Sequence, residues 1–155
     1  VVVWSSSVPD AYDALVGVLS TATALEGVTV LDGPVVSADP IMEAVTVGFE
    51  DESLSAVEDG SNEHEGLSRA RDRETFTINC AVQVLLGSST DMPTARRRAY
   101  ALFSAVGGAL ADNPRLGGAV DLAVLGAHTL TQPQTPQGAL AQIAFGVDCQ
   151  SYSRR

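Results

Sequence analysis

The chain has 155 residues, 45% of them apolar, and it carries nine arginines, no lysine and nineteen acids for a net charge of −10. That length suits one domain with its own core, the composition excludes wholesale disorder, and the acidity argues against nucleic-acid binding as the main activity. The charge is also divided: residues 1–66 hold thirteen acids and no base, whereas residues 67–155 hold nine arginines and six acids.

Such a split is absorbed either within one subunit or between identical subunits that meet head to tail. No stretch approaches the ~20 apolar residues of a membrane span. The opening Val1-Val2-Val3-Trp4 is too short, and lacks the basic flank, for a signal peptide, so neither membrane insertion nor secretion by that route is expected.

In chain order, Ser7-Val8-Pro9-Asp10 reads as a helix start, with Ser7 as the cap, Pro9 in the first turn and Asp10 at the positive helix end. Ala11, Leu15, Val18, Leu19 and Ala22 keep helical spacing to about Leu25, before Gly27. Strands are predicted at Val28–Leu31 and Ala44–Glu50. The turn signals Asp32-Gly33-Pro34 and Asp39-Pro40 between them suggest a hairpin with a broad tip.

Residues 51–73 break the pattern, with dense acids followed by the alternating Arg69, Arg71 and Arg73. They read as a long polar excursion, too poor in apolar side chains to order on its own. The strongest strand follows: Glu74–Leu86 places Phe76, Ile78, Cys80, Val82, Val84 and Leu86 on one face with strict period two.

A second helix runs from Met92-Pro93 to about Asp112, burying Ala95, Ala99, Leu102, Phe103, Val106 and Leu110. Arg96, Arg97 and Arg98 stand near its start, unfavourably for the helix dipole, and invite a carboxylate from elsewhere. Gly107-Gly108 suggests close approach of another backbone. Strands at Ala119–Ala127, with Val120, Leu122 and Val124 in phase, and at Gly138–Tyr152 close the chain, joined by an extended loop over His128–Gln137.

The fold class is therefore α+β: one domain, with a mainly antiparallel sheet of about five strands, two helices on it and a polar loop at 51–73. Cys80 and Cys149 both fall on apolar phases and read as reduced thiols, with a disulfide between neighbouring strands as the alternative.

Phosphate-binding glycine spacings, a G-x-S-x-G elbow and zinc-ligand spacings are not found. His64 and His128 read as ordinary loop and strand-end residues. Asp59-Gly60-Ser61-Asn62-Glu63 lacks the ligand alternation of a calcium loop. No catalytic, cofactor or metal site is expected.

The order of elements, from capped helix through the ETFTINCAVQVLLG strand and the MPTARRRAYALFSAVGGAL helix to the closing QTPQGALAQIAFGVDCQSYSRR, resembles that of tail terminator proteins of long-tailed bacteriophages. That group includes minor tail protein U and the tail-to-head joining proteins. The resemblance implies a non-enzymatic subunit of a hexameric ring, assembled in the host cytoplasm and placed at the head-proximal end of the tail.

Its implied partners are further copies of itself, the major tail tube protein and a head-side neck protein. No membrane or specific nucleic-acid partner is implied. Candidate contact residues are Arg96, Arg97 and Arg98 on the second helix, with Asp51, Glu52, Glu58, Asp59, Arg69, Arg71 and Arg73 in the loop. A head-completion or neck connector protein is the alternative within phage structure, and a small α+β enzyme or metal-binding domain the alternative outside it.

Overall fold

Two strands of 17 residues, β4 (Arg71–Gly87) and β7 (Gly138–Arg154), pair antiparallel from Arg71 opposite Arg154 to Gly87 opposite Gly138 and form the spine of the sheet. The computed structural model describes residues 5–33, 41–49, 58–65, 71–87 and 90–154. Helix α1 (Val8–Thr21) leads through a short 3-10 turn at Thr23–Leu25 into β1 (Thr29–Asp32), followed by β2 (Glu43–Val47) and β3 (Glu58–Glu65). After β4 come α2 (Met92–Asp112), a 3-10 turn at Leu116–Gly118, β5 (Leu122–Thr131), β6 (Gln134–Thr135) and β7.

The sheet order is β1-β2-β4-β7-β5, with β3 also on β4 and β6 also on β7. Both helices lie on one face. Phe76, Ile78, Cys80, Val82 and Val84 of β4, with Ile143, Phe145 and Val147 of β7, meet Leu15, Leu19, Leu102 and Val106 of the helices in one buried cluster. Each large apolar side chain so removed from water contributes roughly 1.5–3 kcal/mol, which is why the period-two and helical stripes decide the architecture.

The α+β class stands as read, with seven strands among the described residues rather than about five. Three expectations change. β1 and β2 are parallel, Thr29 opposite Ala44 and Asp32 opposite Val47, so no hairpin joins them. Val30 and Val45 both turn toward the helices, and antiparallel β4 already occupies the other side of β2. The turn signals at 32–34 and 39–40 therefore do not mark a hairpin tip, and residues 34–40 lie outside the described residues.

Residues 51–73 are not one open loop. β3 pairs with β4 from Glu58 opposite Ile78 to Glu65 opposite Arg71, and Arg71 and Arg73 are the first turns of pleat in β4 itself. Glu63 and Glu65 of β3 stand opposite Arg73 and Arg71 of β4, and Glu63 forms an ion pair with Arg73, so opposite charges meet across this pairing. Residues 51–57 and 66–70, including Asp51, Glu52 and Arg69, lie outside the described residues.

The fourth strand starts three residues later than expected and absorbs His128–Thr131 from the expected loop, while Gln134–Thr135 forms β6. Leu122 and Val124 are in phase, but on the face away from the helices. The buried residue between them is Ala123, opposite Cys149.

Candidate functional site

α1 is held at its start by the sheet. Ser7 occupies the cap position, yet its hydroxyl makes no capping bond and lies 2.8 Å from Ser151 Oγ instead. The cap comes from Glu74 of β4, whose carboxylate accepts the Ser7 N–H at 2.7 Å and the Ser6 hydroxyl at 2.6 Å. A carboxylate at that position also complements the positive helix end.

At α2 the predicted need for a carboxylate is met twice. Asp91 caps the helix by accepting Thr94 N–H at 3.1 Å and the Thr94 hydroxyl at 2.6 Å, and these bonds hold its carboxyl below the usual range. Glu43 of β2 forms an ion pair with Arg98, and Arg96 donates to Gln132 Oε1 at 3.0 Å. Arg97 is exposed beside them. The three arginines thus diverge: Arg98 reaches the β2 side of the sheet and Arg96 the β5 side.

The thiols of Cys80 and Cys149 are free and buried, and burial pushes both up to about 12. They stand on adjacent strands but four positions apart, Cys80 opposite Phe145 and Cys149 opposite Phe76, so the disulfide alternative does not apply. His128, exposed, rests its ring 5.1 Å from Phe103 and 6.1 Å from Tyr100. No helix among the described residues is long and apolar enough to cross a membrane.

The face of the sheet away from the helices has a different chemistry. Its residues on β4 are Thr75, Thr77, Asn79, Ala81, Gln83 and Leu85, and on β7 Leu140, Gln142, Ala144, Gly146, Asp148 and Gln150. Polar groups on this face satisfy one another across strands: Gln83 donates to Gln142 at 2.7 Å, Thr77 to Asp148 at 2.7 Å, and Ser61 and Thr75 lie 3.2 Å apart. Uncharged side chains already bonded in this way lose less when water leaves, whereas the Asp148 carboxylate would still be costly to cover.

The three large apolar side chains that are most exposed among the described residues all stand on this face: Met42 at 48%, Leu122 at 45% and Val124 at 44%. Met42 accepts the Leu85 N–H and so shares that residue's face. Leu122 and Val124 border a concavity of about 450 Å³ with Ser61, Thr75, Thr77 and Asp148.

Charge is present at exposed Asp148, opposite Val124, and is denser toward the end of the ribbon, where Glu63 pairs with Arg73 and the backbones of Glu58, Asp59 and Arg71 lie along β3 and β4. Sequence reading reached only part of this face, the off-phase residues of β4. Strand phase correctly separates Leu122 and Val124 from Ala123, but it does not say which set meets the helices.

No known family model matches the chain, and no curated protein matches it. Among solved structures it is similar to a chain in the virion of a native gene transfer agent particle, at 13% identity over 92% of each chain and a TM-score of 0.36.

Proposed function

We propose that the protein is a structural component of a phage-type virion, and specifically a tail terminator: a ring of subunits that caps the tail tube, ends its polymerisation and offers a surface to the head-side neck. The observation that carries this reading is the open face of the sheet. Its cross-strand polar pairs are bonded to one another, its uncharged centre at Asn79, Ala81 and Ala144 is already shielded from water, and it holds Met42 at one end and Leu122 and Val124 at the other in the open. Interfaces between proteins are depleted of charge at their centres in this way. At ~3.3 Å per residue, β4 and β7 are each about 56 Å long, so the face is large enough for an interface of standard size.

The order of elements supports the finer assignment, while the split of charge is met in part within the subunit by the Glu43–Arg98 and Glu63–Arg73 pairs. The test is removal of the gene from particle-producing cells, complemented with the wild-type chain or with Leu122→Glu/Val124→Glu. Loss of the protein should give headless tails of uncontrolled length. The double variant should keep the wild-type circular dichroism spectrum but fail to restore capped tails. Tails of normal length without the protein would overturn the assignment, and arrest at the head with finished tails would favour a neck connector.

A further inference from the structure

The sheet ends in two strands that no described residue covers, β1 on one side and β5 on the other. Exposed edges are usually guarded by charge, proline, bulges or brevity. β3 carries Glu58, Asp59, Glu63 and Glu65, and β6 is two residues long. β5 is weakly guarded: its ten residues, LAVLGAHTLT, contain no acid, lysine, arginine or proline, and its one irregularity, between Leu125 and His128, leaves His128–Thr131 regular. β1 is similar in chemistry, Thr29, Val30 and Leu31 preceding its single charge, Asp32.

Resting on the ring reading above, we propose that β5 of one copy pairs edge to edge with β1 of the next, joining the sheets of neighbouring subunits into one continuous wall. β1 is parallel to β2, and each later step across the sheet reverses direction, so β5 runs antiparallel to β1. Rotation about an axis along the strands preserves these directions. The β1 strand of the next copy therefore meets β5 antiparallel, the more stable pairing, and the contact is of the head-to-tail kind that closes into rings.

The pleat agrees. One transverse row, Thr29–Ala44–Gln83–Gln142–Thr131, crosses the whole sheet. An unshifted junction sets Thr29 of one copy beside Thr131 of the other, both on the open face, and Val30 beside Leu130 on the helix side. Helix-side charge agrees as well. Arg96 is bonded to Gln132, one residue past that row on the β5 edge, and Arg97 is exposed in the same turn. Exposed Glu26 lies in the turn that enters β1, so an acid stands near one edge and bases near the other. Arg115, farther along the β5 edge, already lies 3.5 Å from Asp121 of its own subunit.

The test is disulfide trapping in the full chain, on free rings and on purified tails. Thr29→Cys/Thr131→Cys, with Thr29→Cys/Thr129→Cys covering a two-residue shift, places thiols at exposed positions while Cys80 and Cys149 stay buried. Mild oxidation of one of these variants should give a ladder of covalent multimers ending at the closed ring, and each chain with only one introduced cysteine should stay uncrosslinked. Glu26→Arg should abolish rings at low protein concentration, and Arg97→Glu in the same chain should restore them. Rings that form but yield no ladder with either pair, or linkage to a different virion protein, would overturn the edge pairing and leave the ring reading standing. A chain that is monomeric when free and absent from tail ends would defeat both.

Discussion

Glu74 illustrates how single residues tie the layers together. It is 7% exposed, and both its carboxylate oxygens are engaged by the first residues of α1. Glu74→Ala leaves the Ser7 N–H without its acceptor in a half-buried site, and should lower unfolding free energy by about 1–3 kcal/mol in urea titrations. Glu74→Gln keeps an acceptor and should lose less. In the sequence this glutamate is only the polar residue that opens a strand, because a cap supplied across 67 positions leaves no local pattern. Asp10, which stands in the first turn beside Ser7 and Pro9, was legible because its pattern is local. The buried thiols and Tyr12, which donates to the Val47 carbonyl, make a second residue-scale prediction. Burial, with the Asp32 charge, raises the Tyr12 hydroxyl to about 12, and burial raises both thiols to about 12 from an ordinary value of 9.0. A raised folded pKa means that the proton is held more tightly in the fold. The contribution is therefore fully present below pH ~9 and is lost as pH rises from there toward 12. Denaturant midpoints should fall over that window, and Cys80→Ala/Cys149→Ala should flatten its lower part.

At the scale of elements, the glycines of α2 divide. A methyl group on Gly107 would stand 3.1 Å from Leu125 Cδ1, so the close neighbour there is a side chain of β5 rather than a backbone. On Gly108 it would meet nothing within 4 Å. Gly108→Ala should therefore stabilise the helix by about 0.5–1 kcal/mol, and Gly107→Ala should gain less, as read from thermal unfolding midpoints. Gly48 is the opposite case. It has φ +83°, and a Cβ there would lie 1.7 Å from the Tyr12 hydroxyl, so Gly48→Ala should cost about 3 kcal/mol or more. Elements held by apolar periodicity, namely the two helices, β4 and β7, were legible within a few residues. β3 was not, because its eight residues, EDGSNEHE, contain no apolar side chain. Its signal was a period-two alternation of charge, Arg69, Arg71 and Arg73 against Glu63 and Glu65. That alternation becomes readable only once opposite charges are allowed to serve as cross-strand partners. The parallel placement of β1 was hidden for another reason: proline and glycine mark where a strand stops, but not in which direction the chain returns.

For the molecule as a whole, assembly is the property most open to measurement. In the proposed edge pairing, contacts of Arg96 and Arg97 with Glu26 of the next copy would be exposed to salt, each worth about 0–1 kcal/mol. Ring mass should therefore decline gradually between low and moderate ionic strength rather than collapse, because the uncharged strand contacts persist. The candidate face was partly legible, since the neutral residues of β4 were visible as the off-phase set, but its extent over five strands depends on pairings between distant segments. Those pairings also govern how the chain reaches its native state. Within the β4–β7 ribbon the shortest span joins Gly87 to Gly138 and the longest joins Arg71 to Arg154, so no native pair in it is local. Contacts of that separation fold slowly, because loop closure precedes any gain from pairing. Until β7 arrives, β4 presents a long bare edge rich in β-branched side chains. During synthesis, collapse of the core must wait for the last strand to clear the ribosome, and crowded nascent chains have that interval in which to aggregate.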